Sequence, residues 1–186
     1  MVVSLILMFV SYGFVYQSFT KYQIVENQIL SIKPRQKVKI GVPLQLWIPA
    51  IGVNANIQLL GVSATGQMEV PDNIVDVGWF KPGSRPGEVG SAVIAGHLDG
   101  KLGEAGVFAN LDKLVKGDFL TVKDDQGNTF VFVVRDKQAY NPGLADEVFT
   151  QNDGAHLNLI TCDGVWNKNI KSYSKRLIVF ADAVNP

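Results

Sequence analysis

Short apolar runs with a period close to two, each bounded by glycine or proline, restrict the fold of this chain most strongly. Leu44, Leu46 and Ile48, for example, alternate along the chain immediately before Pro49. Such alternation is typical of a β-strand with one buried face. Seven segments are predicted strands on this basis: 44–48, 57–60, 91–95, 119–122, 129–134, 157–160 and 177–181. Short strands without long intervening helices favour an all-β barrel or sandwich over a parallel α/β sheet.

Only two segments of this body have a helical pattern. Apolar residues at positions 107, 111 and 114 would share one face of a helix over 107–114, and a second short helix is predicted over 144–149. The chain has 186 residues, of which 47% are apolar and 18% charged, and this is enough apolar material for one domain. No internal repeat divides it, so the body is predicted to be a single unit.

The N-terminal segment has a different composition from the body. The stretch from Val2 to Tyr16 contains no charged residue, and the uncharged run extends to Lys21. A bilayer span takes about 20 apolar residues, and the end of this run lacks the small residues of a signal-peptide cleavage site. We therefore expect a retained membrane anchor over 1–20, a stalk over 21–42 and a folded domain over 43–186. The alternative is a hydrophobic helix buried in the domain.

Charge and cysteine content exclude several classes of function. The 17 basic and 17 acidic side chains cancel, which argues against nucleic acid as a partner. The single cysteine, Cys162, rules out an intramolecular disulfide and a thiolate zinc cluster. Asp124 and Asp125 precede Gly127 as turn residues do, and we predict neither a cofactor nor a metal ion.

Three side chains able to take part in catalysis lie at predicted strand ends: His97, Cys162 and Arg176. A free thiol has a pKa of about 8.5 and is mostly unreactive at neutral pH, so Cys162 would need a partner. An imidazole can stabilise the thiolate or protonate a leaving amine, and a guanidinium can stabilise an oxyanion or hold a substrate backbone. His156 is a poorer partner, because it lies about 20 Å from Cys162 along an extended strand. Asp99 could tune the nearby pKa values or could simply form a turn.

The combination of these segments resembles the sortase family. Leu159 to Cys162 (LITC), followed by Arg176 in a strand, is similar to the TLxTC signature that carries the sortase nucleophile, and AGHLD at 95–99 is similar to the histidine segment. Further similarities lie in LWIPAIGV at 46–53, GQMEVP at 66–71, Gly78–Trp79 and PGEVG at 86–90, so the resemblance covers about 43–184. The sequence departs from the pattern at Asn158, where threonine is commonest.

This resemblance implies a closed eight-stranded β-barrel and thiol-dependent transpeptidation on the outer side of a Gram-positive cell membrane. Cys162 would cleave an LPxTG-like sorting signal of a surface protein between Thr and Gly, His97 would protonate the leaving amine, and Arg176 would hold the substrate and the oxyanion. The acyl group would pass to an amine of the cell wall or of a pilin. A class E/F-like or other non-pilus sortase is expected, because no second apolar span follows the domain.

Two other functions remain open at this stage. A cysteine peptidase or L,D-transpeptidase acting on peptidoglycan would also use cysteine and histidine on a β-rich body, although such enzymes have the two residues close in sequence. A non-catalytic surface domain would have Cys162 as an unreactive buried thiol.

Overall fold

Eight strands form a closed barrel in residues 38–145 and 147–184, which are the part of the chain that the computed structural model describes. The predicted anchor and the stalk up to residue 37 lie outside the described residues. No helix within the described part is long and apolar enough to cross a membrane. The strands are β1 (Pro43–Ile48), β2 (Val53–Leu60), β3 (Val77–Phe80), β4 (Gly90–Gly96), β5 (Phe119–Asp124), β6 (Thr129–Tyr140), β7 (Ala155–Asn167) and β8 (Ser172–Ala183).

The strand order around the barrel is β1-β2-β3-β4-β7-β8-β6-β5, and β5 closes it against β1. Two neighbouring pairs are parallel, β2 with β3 and β4 with β7, and the others are antiparallel. The parallel pairing of β4 with β7 brings together two strands that are distant in sequence. The predicted all-β class is confirmed, and the barrel form with eight strands is the one that the family resemblance implies.

Alternate residues of each strand fill the barrel interior. On β7 these are Leu157, Leu159 and Thr161, and on β8 they include Leu177 and Val179. Because side chains alternate across a strand, the residues between them point outward. Burial of each large apolar side chain stabilises the fold by about 1.5–3 kcal/mol, so this interior dominates the stability of the domain.

A second, smaller apolar layer covers the outer face of β4, β7 and β8. Its buried members are Val93, Val148, Ile178 and Phe180, with Ile160 partly buried against them. Val148 belongs to a short helix, α1 (Glu147–Thr150), which lies in the β6–β7 connection and packs on this face. The central strands are therefore apolar on both faces, which explains why their sequences are nearly continuous apolar runs.

The predicted helix over 107–114 is wrong. This segment forms turns and a 3-10 helix at Leu111–Lys113, although Leu111 is fully buried as its spacing suggested. The backbone N–H of Val107 donates to the Ile74 carbonyl at 2.7 Å, and that of Phe108 donates to the His97 carbonyl at 2.9 Å. Both acceptors lie in loops outside this segment, and the later N–H groups, such as that of Leu111, donate to carbonyls three residues earlier, so 3-10 turns form in place of an α-helix.

The other differences concern boundaries. The predicted helix over 144–149 corresponds to α1, which is shorter and begins later. β3 was not predicted, because its four residues VGWF contain glycine and show no alternation. The strands β6, β7 and β8 are longer than predicted. Their additional residues are mostly polar, so the apolar pattern did not indicate them.

Candidate active site

The antiparallel pairing of β7 with β8 brings Cys162 and Arg176 together. They are direct partners across the two strands, so their Cβ atoms are about 4.5–5.5 Å apart. Cys162 follows the interior residue Thr161, and Arg176 precedes the interior residue Leu177. Both side chains therefore project from the outer face of the barrel, one beside the other.

His97 directly follows β4, the strand on the other side of β7 from β8. In the parallel β4–β7 pair, Ala95 is opposite Ile160, and the Thr161 hydroxyl donates to the Gly96 carbonyl at 2.8 Å. His97 and Cys162 each follow two residues after the last paired residues of the two strands. The structure thus pairs Cys162 directly with Arg176 and places His97 at the adjoining end of the neighbouring strand.

The prediction that all three lie at strand ends holds only for His97, which follows the last residue of β4. Cys162 and Arg176 lie within their strands, because β7 and β8 continue as a two-stranded arm to Asn167 and Ser172. A register shift between Asp163 and Trp166 marks the start of this arm. Asp163, which comes directly before Gly164 in the sequence, is paired with Lys175 across the two strands.

Arg176 is held by neutral acceptors. Its Nη1 donates to the carbonyls of Tyr173 at 3.2 Å and Lys175 at 2.8 Å, and its Nη2 donates to the Ser172 Oγ at 3.2 Å. A guanidinium has five N–H donors, so these bonds fix its position while leaving donors for a substrate. Within residues 38–145 and 147–184, no carboxylate forms a salt bridge with Arg176.

A hydrogen bond to a backbone carbonyl fixes which ring nitrogen of His97 carries the proton. The imidazole Nε2 lies 2.9 Å from the Pro71 carbonyl oxygen. A carbonyl can only accept, so Nε2 is the donor and carries a proton, and Nδ1 is the nitrogen left for proton exchange. Sequence reasoning did not find this contact. Pro71 closes the GQMEVP segment, but the residues give no sign that its carbonyl reaches the imidazole.

The thiol is half-buried, and three influences act on its pKa. Burial raises the pKa of Cys162, the Arg176 guanidinium lowers it, and the Asp99 carboxylate raises it. Burial is the largest of these, and the pKa of the thiol is raised overall. The resting group at neutral pH is therefore the thiol, and Arg176 limits the cost of forming the thiolate.

Asp99 and Tyr173 form a further contact beside the thiol. The Tyr173 hydroxyl donates to Asp99 Oδ2, and this bond with burial raises the pKa of Tyr173 to about 12. Tyr173 also packs edge-on against Trp166, with ring centroids 5.2 Å apart. The sequence had left the role of Asp99 open between tuning and a turn, and it gave no role to Tyr173.

The second histidine lies at the opposite end of β7. His156 pairs with Ser91 at the start of β4. Its Nδ1 contacts Asp182 Oδ1 and its Nε2 contacts Asp153 Oδ1, both at 2.8 Å. Both nitrogens of the buried imidazole are thus bonded to more exposed carboxylates far from Cys162, so His156 has a structural role. No group of three or more potential metal ligands occurs in the described part of the chain.

A closed β-barrel with a thiol, an arginine and a histidine together on its outer face is the arrangement of a cysteine acyl transferase or hydrolase. The sequence model of the Sortase domain family matches residues 46–184, three quarters of the chain. The chain belongs to the sortase family. No curated protein sequence matches it.

Solved structures with the same fold are sortases of several classes. Sortase C1 of GBS Pilus Island 1 is 23% identical with a TM-score of 0.60, and the alignment covers 77% of this chain and 64% of that one. Sortase A from Corynebacterium diphtheriae, lid mutant, is 22% identical with a TM-score of 0.61, covering 82% and 75%. A Clostridium perfringens Sortase D5 transpeptidase is 23% identical with a TM-score of 0.58, covering 88% and 89%. The expected class E/F-like subclass stays a prediction.

Proposed function

We propose that this chain is a cysteine transpeptidase that cleaves an LPxTG-like sorting signal of surface proteins and transfers the acyl product to an amine. The observation that carries the proposal is the pairing of Cys162 with Arg176 across β7 and β8, and the position of His97 directly after the neighbouring strand β4 supports it. Family membership supports the reaction type. The side chains supply a nucleophile, a proton donor and a cationic hydrogen-bond donor.

In the first half-reaction, the Cys162 thiol gives its proton to Nδ1 of His97, and the resulting thiolate attacks the carbonyl carbon of the Thr–Gly bond. The charge that develops on the carbonyl oxygen is stabilised by N–H groups of Arg176 that are not used by its backbone acceptors. The C–N bond then breaks, and a proton passes from His97 to the leaving glycine amine. The products are a thioacyl enzyme and the released C-terminal peptide.

In the second half-reaction, an acceptor amine attacks the thioacyl carbon. His97 takes the proton that this amine loses, the C–S bond breaks, and the thiolate leaves to be reprotonated. A new amide bond has formed, and the enzyme has returned to its starting state. Water in place of the amine would give hydrolysis, so the position of the acceptor decides the outcome.

The cellular setting that we propose follows from the N-terminal sequence. The uncharged run over 1–20 would anchor the protein by a single pass, with the catalytic domain on the extracellular side, where surface proteins emerge. The acceptor would be a cell-wall peptide amine or a pilin amine. A tethered enzyme of this kind needs no cofactor for the reaction described.

The test is an intact-mass measurement on the full chain in detergent after incubation with LPxTG-like peptides, with and without oligoglycine. We expect an adduct on Cys162 that equals the acyl half of the peptide, and its discharge by the amine into a new peptide. Cys162→Ala is the matched control and should form no adduct. An inert thiol would favour the non-catalytic surface domain, and an adduct formed only with peptidoglycan peptides would favour an L,D-transpeptidase or peptidase.

A further inference from the structure

Tyr173 contacts two charged groups of the site, the carboxylate of Asp99 and the guanidinium of Arg176. Its hydroxyl donates to the Asp99 carboxylate, and its carbonyl accepts from Arg176 Nη1 at 3.2 Å. Its ring is held by Trp166 in the β7–β8 arm. One residue therefore contacts two oppositely charged groups that both influence the thiol, Asp99 from the loop after β4 and Arg176 from β8.

These two charges have opposite effects on Cys162. The positive charge of Arg176 lowers the pKa of the thiol, and the negative charge of Asp99 raises it. A carboxylate and a guanidinium that can reach each other form a bidentate pair, which would neutralise the charge and occupy the donors. Asp99 is the carboxylate whose field reaches the thiol, yet in the described residues it is bonded to Tyr173 and forms no salt bridge with Arg176.

The loop that carries Asp99 is fixed independently of Tyr173. Asp99 forms an isolated bridge with Ala105, and the Gly106 N–H donates to the Leu98 carbonyl at 2.9 Å. The backbone of Asp99 is therefore placed by its own loop. What the Tyr173 hydroxyl determines is the direction of the carboxylate.

We propose that Tyr173 is a positioning residue that keeps Asp99 apart from Arg176, so that the guanidinium stays available to the thiolate and the oxyanion. The inference deepens the proposed function and rests on it for its catalytic consequence. The ionisable groups around the thiol are Arg176 and Tyr173 from β8, with His97 and Asp99 from the segment after β4. The nearby Lys175 ammonium is engaged with Asn141 Oδ1 at 2.7 Å.

The test is the rate of Cys162 alkylation by iodoacetamide between pH 6 and 10, measured on the full chain in detergent. In Tyr173→Phe the ring and the carbonyl remain, and we expect the released Asp99 carboxylate to turn toward the Arg176 guanidinium. We expect alkylation at neutral pH to slow by about threefold or more, because less thiolate is present. Asp99→Asn alone should speed it, because a charge that raises the thiol pKa is gone.

The double variant decides the mechanism. If Tyr173 acts through Asp99, Tyr173→Phe has no further effect in the Asp99→Asn background, and alkylation stays at the rate of the single Asp99→Asn variant. A slow rate that persists in the double variant, or an unchanged rate in Tyr173→Phe, would overturn the proposal. Tyr140→Phe is the matched control, since it also removes a hydroxyl bonded to a carboxylate, that of Glu147, which does not shift the pKa of Cys162.

Alkylation requires no substrate, so this test is separable from the proposed function. The expected alkylation pattern without any peptide transfer would contradict the transpeptidase assignment and leave the role of Tyr173 intact. Peptide transfer by the wild type together with identical thiol reactivity in all variants would contradict the role of Tyr173 and leave the transpeptidase assignment intact. In a transferring enzyme, Tyr173→Phe should lower kcat more than it raises KM, and Asp99→Asn should restore kcat.

Discussion

Thr161 contributes both to the stability of the barrel and to the position of His97. Its side chain is 3% exposed and its hydroxyl donates to the Gly96 carbonyl at 2.8 Å, one residue before His97. Thr161→Val keeps the shape but leaves a buried carbonyl without this donor. An unmade buried hydrogen bond costs about 1–3 kcal/mol, so we expect the free energy of unfolding to fall by that amount.

Urea denaturation followed by the fluorescence of the buried Trp79 measures this change. Thr161→Ser is the matched control, because it keeps the hydroxyl and loses only a methyl group, which should cost about 1 kcal/mol. In peptide transfer, Thr161→Val should lower kcat by about tenfold or more through loss of His97 positioning, with Ser closer to wild type. A Val variant as stable and as active as wild type would refute the reasoning.

Five further predictions concern the same domain. Cys162→Ala should abolish peptide transfer, and Arg176→Lys should lower kcat by at least about tenfold, because lysine lacks the planar fork; retained kcat would contradict the role of Arg176. Because burial raises the pKa of Cys162, alkylation should accelerate as the pH rises above neutral, and a rate already constant at pH 6 would contradict this. Asn158→Ala removes the 2.6 Å bond from Asn158 Nδ2 to the Val148 carbonyl, so hydrogen exchange in α1 should increase. Unchanged exchange would show that other contacts hold the helix. Deleting residues 1–38 should leave a folded, active domain in solution by circular dichroism and peptide transfer, and an aggregated product would instead assign the apolar segment to the core.

The sequence predicted the strands that have one clear alternation and missed what depends on distant partners. β1, β4 and β5 were found nearly to the residue, because their apolar pattern and their flanking glycine or proline are local. The failed helix at 107–114 had a valid apolar spacing, but its first N–H groups bind the Ile74 and His97 carbonyls in distant loops, and its later ones form 3-10 turns. No local pattern contains that information.

In the site, too, local sequence patterns were predictive and contacts with distant residues were not. His97, Cys162 and Arg176 were found because their residue types and flanking segments are distinctive. The groups that orient the His97 and Arg176 side chains include backbone carbonyls, that of Pro71 beside the imidazole and that of Tyr173 beside the guanidinium. Every residue has a carbonyl, so only the fold reveals which one matters.

The position of Cys162 on the outer face follows from the packing of the barrel. Leu157, Leu159 and Thr161 occupy the interior from β7, together with alternate residues of β8, so the interior has no space for a peptide. A shift of one residue in the pairing register of β7 would move its inward-facing side chains to the outer face, and its outward-facing side chains to the interior. The adjacent residues Thr161 and Cys162 therefore have different roles. The Thr161 side chain points inward and donates to the Gly96 carbonyl at the end of β4, and the Cys162 side chain points outward beside Arg176. A rigid, filled barrel thus holds groups from three strands at a fixed spacing on a surface that an extended peptide can reach.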